Sequence, residues 1–336
     1  MSIHPFGNLP DGTEIREIRL TGAAGARASI LTLGAVLRNL EVPDGDGGLA
    51  SVVLGYDGLD GYVTNPSRVG ATVGRNANRI ADGRFELDGR HYELPINGAG
   101  NVHLHGGPVG FALKPWEIVE ASDSHVVLKL VSEDGDQGYP GRVEVSCRYD
   151  LLEPATLAIR MSGETDAPTL LNLTNHSYFT LIGGADCRDH LLRVEADLYT
   201  PPQPNLIPTG AVMPVAGTAF DFREARRIGD NGDDFDTNFA VRGPIGAMVA
   251  AASLWSPDRR RRLDVVTDQP AVLVYTAGGL KNVAADVAGR VHGPHAGVCL
   301  ETGAFVDAPN KRHFPKTVLR PGEPYLHRVE YRFSHA

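Results

Sequence analysis

The sequence predicts an all-β fold: one large antiparallel β-sandwich with a few short helices. Three observations predict it. Stretches that alternate or concentrate aliphatic and β-branched residues recur along the whole chain. Turn residues separate them, with 39 glycines and 23 prolines in 336 residues, above the usual share. Credible helices are few and short.

Taken in order, residues 28–42 (ASILTLGAVLRNLEV) read as the first long strand-like stretch. Asp88-Gly89 marks a turn. Residues 125–131 (HVVLKLV) alternate strictly, Asp134-Gly135 turns the chain, and 142–151 (RVEVSCRYDL) alternate again. Residues 155–161 and 170–178 continue as strands, followed by 191–196. The proline-rich run 201–208 is too short for a domain boundary and reads as a surface loop. Short helices are expected at 223–228 and 246–253, and the last strands at 262–266, 271–276, 297–301 and 325–333. With no internal repeat and no low-complexity linker, residues 1–336 are read as a single domain of two sheets packed face to face, leaving a concave face open to a ligand.

Composition narrows the function. A formal net charge of −9 argues against a nucleic-acid partner or an anionic membrane surface. Cys147, Cys187 and Cys299 are too sparse and scattered for a disulfide framework or a structural zinc site. The N-terminus lacks a basic region followed by an apolar stretch, so no signal peptide is expected. No apolar run approaches the ~20 residues that span a bilayer. The expected setting is cytoplasmic.

Candidate chemistry centres on Asn175-His176-Ser177-Tyr178-Phe179. If 170–178 is extended, Asn172, Thr174, His176 and Tyr178 share a face, a hydrogen-bonding row that suits a polyhydroxylated ligand. The blander alternative is a buried histidine satisfied by a carbonyl. His103 and His105 stand two apart in Asn101-Val102-His103-Leu104-His105-Gly106-Gly107, hence on one face if extended, a spacing that can chelate a metal. No third ligand stands out nearby, so no metal is assigned. The glycine pair would allow close approach to a ligand. In Gly74-Arg75-Asn76-Ala77-Asn78-Arg79-Ile80, arginine and asparagine could grip vicinal hydroxyls, or simply form a solvated turn. Glu301 sits in an apolar strand, where an acid must be paired or functional. Within Asp233-Asp234-Phe235-Asp236, Asp236 is the candidate for function. With no nucleophile elbow, phosphate loop or dinucleotide fingerprint, general acid–base chemistry without a cofactor is the economical reading.

The same residues carry a resemblance to the aldose 1-epimerase (galactose mutarotase) family, nearly end to end and in order. The matching blocks are GRNANRIADGRFELDG, NVHLHGG followed by GFALKPW, SEDGDQGYPG, LLNLTNHSYFTL, GTAFDF, FDTNF, VYTAGGL, ETGAFVDAPN, HFP and LRPGEPY. The resemblance implies a galactose mutarotase-like supersandwich and interconversion of the α and β anomers of a free monosaccharide, with no cofactor. It implies Glu301 as the base toward the anomeric hydroxyl, His176 as the acid toward the ring oxygen, and His105 as a second histidine beside that oxygen. It implies Asn78, Arg79 and Asp236 as holders of sugar hydroxyls. Opposite protonation of the pair, Glu301 ionised and His176 cationic near neutral pH, is then expected. The protein would act as a monomer or homodimer.

Four positions depart from the family pattern: Thr237 stands for a histidine, Leu273 for a glutamine of the sugar site, Gly303 for a glutamine and Val306 for a proline. Losing an amide at Leu273 removes a partner worth ~1–3 kcal/mol to a buried hydroxyl, so a different or less selective sugar preference is expected. Two other classes remain open from the sequence. A glycan-cleaving enzyme would need a second acid flanking the bond, and a non-catalytic sugar-binding protein would keep the cleft without turnover.

Overall fold

Strict alternation at 125–131 and 142–151 becomes two long paired strands. A computed structural model describes the chain except for Gly184, Ala185, Asp233, Asn282, Val283, Val287, Ala336 and the side chain of Asn231. His125–Ser132 and Val143–Leu152 run antiparallel, with Val126 opposite Tyr149, Leu128 opposite Cys147 and Leu130 opposite Val145, all buried. Their outward neighbours, such as Lys129 opposite Ser146, are partly exposed. Thr156–Thr165, Tyr325–His335, Arg261–Thr267, Val249–Trp255 and Leu191–Val194 extend this sheet, and Glu117–Ala121 and Arg226–Arg227 edge it, making nine strands.

A five-stranded sheet is formed by Ser2–Asn8, Glu14–Thr21, Arg27–Leu31, Val36–Pro43 and Leu49–Ser51. A six-stranded sheet has the order Tyr178–Phe179, Val298–Gly303, Ala271–Tyr275, Asp236–Ala240, Leu198–Thr200 and Met213–Pro214. One apolar core joins all three, drawing Leu128, Leu157 and Val329 from the large sheet, Ile18, Ile30 and Leu37 from the second, and Phe179, Val272 and Val298 from the third. Truncating one of these side chains to alanine costs about 2–5 kcal/mol. The architecture is the expected all-β sandwich, and no helix among the described residues is long and apolar enough to cross a membrane.

Several local expectations are corrected. Residues 28–42 are two strands rather than one, because Gly34 (φ +65°) and Ala35 (φ +44°) turn the chain between them. A Cβ at Gly34 would lie 2.3 Å from the Ala112 carbonyl oxygen, which leaves glycine the residue that fits. No helix forms at 223–228: Arg226 and Arg227 pair with Leu192 and Leu191, and a short 3₁₀ turn, Ile228–Asn231, follows. Residues 246–253 yield strand Val249–Trp255 instead of a helix, since pairing on both sides outweighs the weak helix preference of its alanines. The α-helix found among the described residues is Leu59–Thr64.

The stretch 170–178 is broken as well. Thr169–Leu170, Thr174–Asn175 and Tyr178–Phe179 each join a different partner. Asn175 causes one break: its Oδ1 accepts from the Ser177 amide at 3.2 Å and the Ser177 hydroxyl at 2.6 Å, bending the chain at His176. The common face therefore splits. His176 and Tyr178 reach the cleft, whereas Thr174 donates to the Thr302 carbonyl at 2.8 Å and Asn172 accepts from the Ala304 amide at 3.1 Å.

Candidate active site

Strand Val298–Gly303 is buried along its whole length, and alternation turns Cys299 and Glu301 to the same side. Cross-strand pairing sets a first row there: Tyr178, Cys299, Tyr275 and Asp236. A second row follows: Glu301, Leu273 and Asn238. Above this floor lies a cleft of about 460 Å³. All six candidate site residues line it, Asn78, Arg79, His105, His176, Asp236 and Glu301, together with Tyr178 and Thr237.

His176 is held by its backbone, whose N–H donates to the Ala71 carbonyl and whose carbonyl accepts from Gly70. Its ring stacks on Tyr178 (centroids 5.1 Å apart) and meets His105 edge-on at 5.1 Å. Nε2 lies 3.6 Å from Glu301 Oε1, with His176 4% and Glu301 6% exposed. Two titratable groups meet here, both almost fully buried.

Burial governs their protonation. It pushes His176 down to about 4, with the cations Arg68 and Arg79 adding to the shift. It pushes Glu301 up to about 8, with Asp236 adding and Arg79 opposing. At neutral pH these shifts favour a protonated Glu301 beside a neutral His176. This reverses the expected ionised Glu301 and cationic His176. The physical reason is that a charge-separated pair is expensive where water is excluded. The number of protons is the same in both arrangements: the pair holds one.

The tautomers follow from the far side of each ring. The Asn78 amide donates to His105 Nδ1 at 3.2 Å, and burial keeps His105 neutral, so its proton is on Nε2. Cys299 Sγ lies 3.6 Å from His176 Nδ1, and burial holds that thiol protonated. If that thiol donates to Nδ1, neutral His176 carries its proton on Nε2, facing Glu301.

His105, His176 and Glu301 bring their ligand atoms within 4.8 Å of one another, a spacing that a metal ion could span. The His105 ring opposes that use, because Nδ1 is occupied and Nε2 is protonated. His103 does not share a face with His105, whose φ of +51° turns the chain. It is buried elsewhere, with Nδ1 on the Pro95 carbonyl and Nε2 on the Tyr139 hydroxyl. The glycine pair also serves packing: a Cβ at Gly106 would fall 1.7 Å from the Gly74 carbonyl oxygen.

Arg79 donates to Asp236 at 3.0 Å and to Asn78 Oδ1 at 3.2 Å, so these three form one locked unit on the wall. Arg75 belongs to the interior, donating to Ser132, Glu133, Pro140, Gly141 and Thr169. Asp234 lines the mouth, and Asp233 lies outside the described residues.

Sequence reasoning missed several lining residues. Tyr275 shares a strand face with Leu273, which alternation could have revealed; Arg68 and Phe220 carried no signal. The loop 201–208 supplies Pro202 and Leu206 to the wall. Among the departing positions, Leu273 is 4% exposed directly opposite Glu301. Thr237 lines the cleft, yet its buried hydroxyl has no partner among the described residues. Gly303 and Val306 are buried, and Gly303 packs toward Asn172.

Fold and site define a β-sandwich protein whose cleft, with paired titratable groups, fits a small polar ligand. The sequence model of the family described as Aldose 1-epimerase matches residues 16–332. Galactose mutarotase from Homo sapiens is 39% identical over 336 residues, covering 98% of this chain and 97% of its own. Aldose 1-epimerase from Escherichia coli (strain K12) is 35% identical, covering 96% of each chain. The structure of a GalM/aldose epimerase homologue from C. elegans superposes with a TM-score of 0.90 at 31% identity, covering 95% of this chain and 99% of its own. Galactose 1-epimerase from Lactobacillus acidophilus NCFM gives a TM-score of 0.85 at 29% identity, covering 100% and 98%. The chain belongs to the aldose 1-epimerase family, and it is an isomerase of that kind, a mutarotase.

Proposed function

We propose that Glu301 and His176 are the pair that opens and recloses the ring of a free aldose. Glu301 takes the proton from the anomeric hydroxyl while His176 Nε2 gives one to the ring oxygen. The C1–O5 bond breaks, and the new carbonyl bond forms at C1. Rotation about C1–C2 presents the other face of the aldehyde. Reclosure returns both protons and yields the other anomer. Burial favours the shared proton on Glu301, so the reaction calls for its transfer to His176. Hydroxyls donating to the carboxylate, and Arg79 nearby, favour the ionised form that this requires.

His105, neutral and offering Nε2–H, supports the ring oxygen from beside His176. Asn78, Arg79 and Asp236 hold hydroxyls. The names of the relatives point to galactose, and glucose is the other natural candidate. Leu273, opposite Glu301, predicts a preference that differs at one hydroxyl or a less selective cleft. The reading extends to a cytoplasmic protein that works on a monosaccharide as a monomer or homodimer.

The observation that carries this reading is the 3.6 Å approach of His176 Nε2 to Glu301 Oε1, both almost fully buried at the base of the cleft. Polarimetry of freshly dissolved α-D-galactose and α-D-glucose, with wild type and Glu301→Gln in parallel, tests it. Faster anomeric equilibration by wild type and not by the variant is the expected result. Equal acceleration by both would remove Glu301 from the mechanism.

A further inference from the structure

Three arginines lie on the segment that forms one wall of the cleft, and their hydrogen bonding differs sharply. Arg75 is enclosed by carbonyl and hydroxyl acceptors. Arg79 is committed to Asp236 and Asn78. Arg68 lines the cleft with His105 and His176, yet its side chain donates to one acceptor, the Asn65 carbonyl at 3.2 Å. Among the described residues no carboxylate stands within ion-pair distance of it. Partial burial lowers its pKa while leaving it charged, so this guanidinium is partly desolvated without a facing counter-charge among the described residues.

Nor is Arg68 on a floppy loop. The Arg68 amide donates to the Asn65 carbonyl, and the Ala71 amide donates to the Arg68 carbonyl. The fully buried Asn65 side chain clasps both the N–H and the carbonyl of Val69. The neighbouring Ser67 carbonyl accepts from the Tyr178 hydroxyl at 2.9 Å, which ties the loop to the ring stacked on His176. Arg68 itself is held at φ +52°, a conformation that a non-glycine residue adopts at a cost. The loop keeps an incompletely paired cation beside the acid–base pair.

The charge lies on the histidine side of the cleft. It acts on both His105 and His176, while Glu301 feels Asp236 and Arg79. On the mechanism above, the histidines face the ring oxygen, and the carbon beyond that oxygen carries the exocyclic arm of a hexose. We propose that the cleft takes an aldose with a carboxylate on that arm, a hexuronate, and that Arg68 holds the carboxylate. One guanidinium matches one carboxylate through paired N–H donors. A phosphate dianion would call for a second free cation, and Arg75 and Arg79 are already engaged. The proposal rests on the mutarotase reading and adds a substrate class to it.

The test compares galacturonate with galactose, and glucuronate with glucose, by polarimetry at neutral pH with spontaneous rates subtracted. The expected wild-type kcat/KM favours the uronate by about tenfold or more, and Arg68→Gln lowers the uronate-to-hexose ratio by about tenfold. Arg68→Lys keeps part of the preference. The primary amide of galacturonate, near-isosteric and uncharged, should lose the advantage with the wild-type protein and needs no variant. A ratio near or below one, an amide as good as the acid, or a ratio unmoved in a folded Arg68→Gln would each overturn the proposal. Galactose acceleration with no uronate preference would sink this inference alone. Failure to accelerate any of these sugars would sink the mutarotase reading beneath it.

Discussion

The two faces of strand Val298–Gly303 carry the same kind of group to opposite ends. On one face Glu301 meets His176. On the other, the Thr302 hydroxyl bonds His327 Nε2 at 2.8 Å, while His327 Nδ1 bonds the Leu173 carbonyl at 3.0 Å. Both histidines are buried, and burial pushes both down to about 4. Titration behaviour therefore does not separate them. What separates them is the second ring nitrogen. His327 has spent both nitrogens on the protein, as has His103 on Pro95 and Tyr139. His176 and His105 are held from behind at Nδ1 and leave Nε2 to the cleft. A depressed pKa marks burial, and an open nitrogen in a cleft marks a candidate for chemistry.

Removing members of each pair should break the two faces in different ways. Glu301→Gln and His176→Asn are each expected to lower kcat by about 10²–10⁴-fold, the usual worth of a positioned acid or base, with melting curves close to wild type. His327→Leu should do the reverse. It orphans the Thr302 hydroxyl and the Leu173 carbonyl at a cost of ~1–3 kcal/mol, read as a lower melting temperature, while kcat per folded molecule stays within a few-fold. A His327 variant as inactive as the His176 variant at equal foldedness would erase the distinction.

The pH profile sharpens the same contrast. On the proposed mechanism the Glu301–His176 pair works while it holds one proton, whichever residue carries it. Below about 4 both His176 and Glu301 are protonated and no base remains. Above about 8 both have lost their protons and no acid remains. The expected kcat/KM profile is a bell with limbs near those values, and His327→Leu should leave both limbs in place. A plateau running well beyond pH 8 would mean that Glu301 does not titrate in the active pair.

Much of this was legible in the sequence, and the rest was not for identifiable reasons. Long sheet strands announce themselves because alternation and burial coincide, as at 125–132 and 143–152. The helices expected at 223–228 and 246–253 failed because pairing partners distant in sequence outweigh local preference. The residues that line the cleft were readable where a motif held them together, as with Asn78, Arg79, His105, His176 and Glu301. Alternation alone misassigned Asn172 and Thr174, since the bend at Asn175 was invisible in composition. It also put His103 beside His105, which a left-handed residue prevents. The incompletely paired state of Arg68 depends on what does not surround it, and no linear pattern records that.

Leu273→Gln gives the finest test of the comparison, because it changes the surroundings of Glu301 without touching either member of the pair. Leu273 faces Glu301 directly across two hydrogen-bonded strands and is almost fully buried, so it helps to keep water from the carboxyl group. That exclusion is the leading cause of the elevated Glu301 pKa. An amide at this position could donate to the carboxylate and would favour its ionised form. The pKa of Glu301 should fall from about 8, moving the alkaline limb of kcat/KM to lower pH by up to about one unit, while the acid limb near about 4 stays put. The same amide would offer a partner to a sugar hydroxyl and should raise the preference for one of galactose and glucose over the other. An alkaline limb that does not move would show that Leu273 is packing and not part of the Glu301 environment, and the alkaline limb would then be set by Asp236 and the depth of burial.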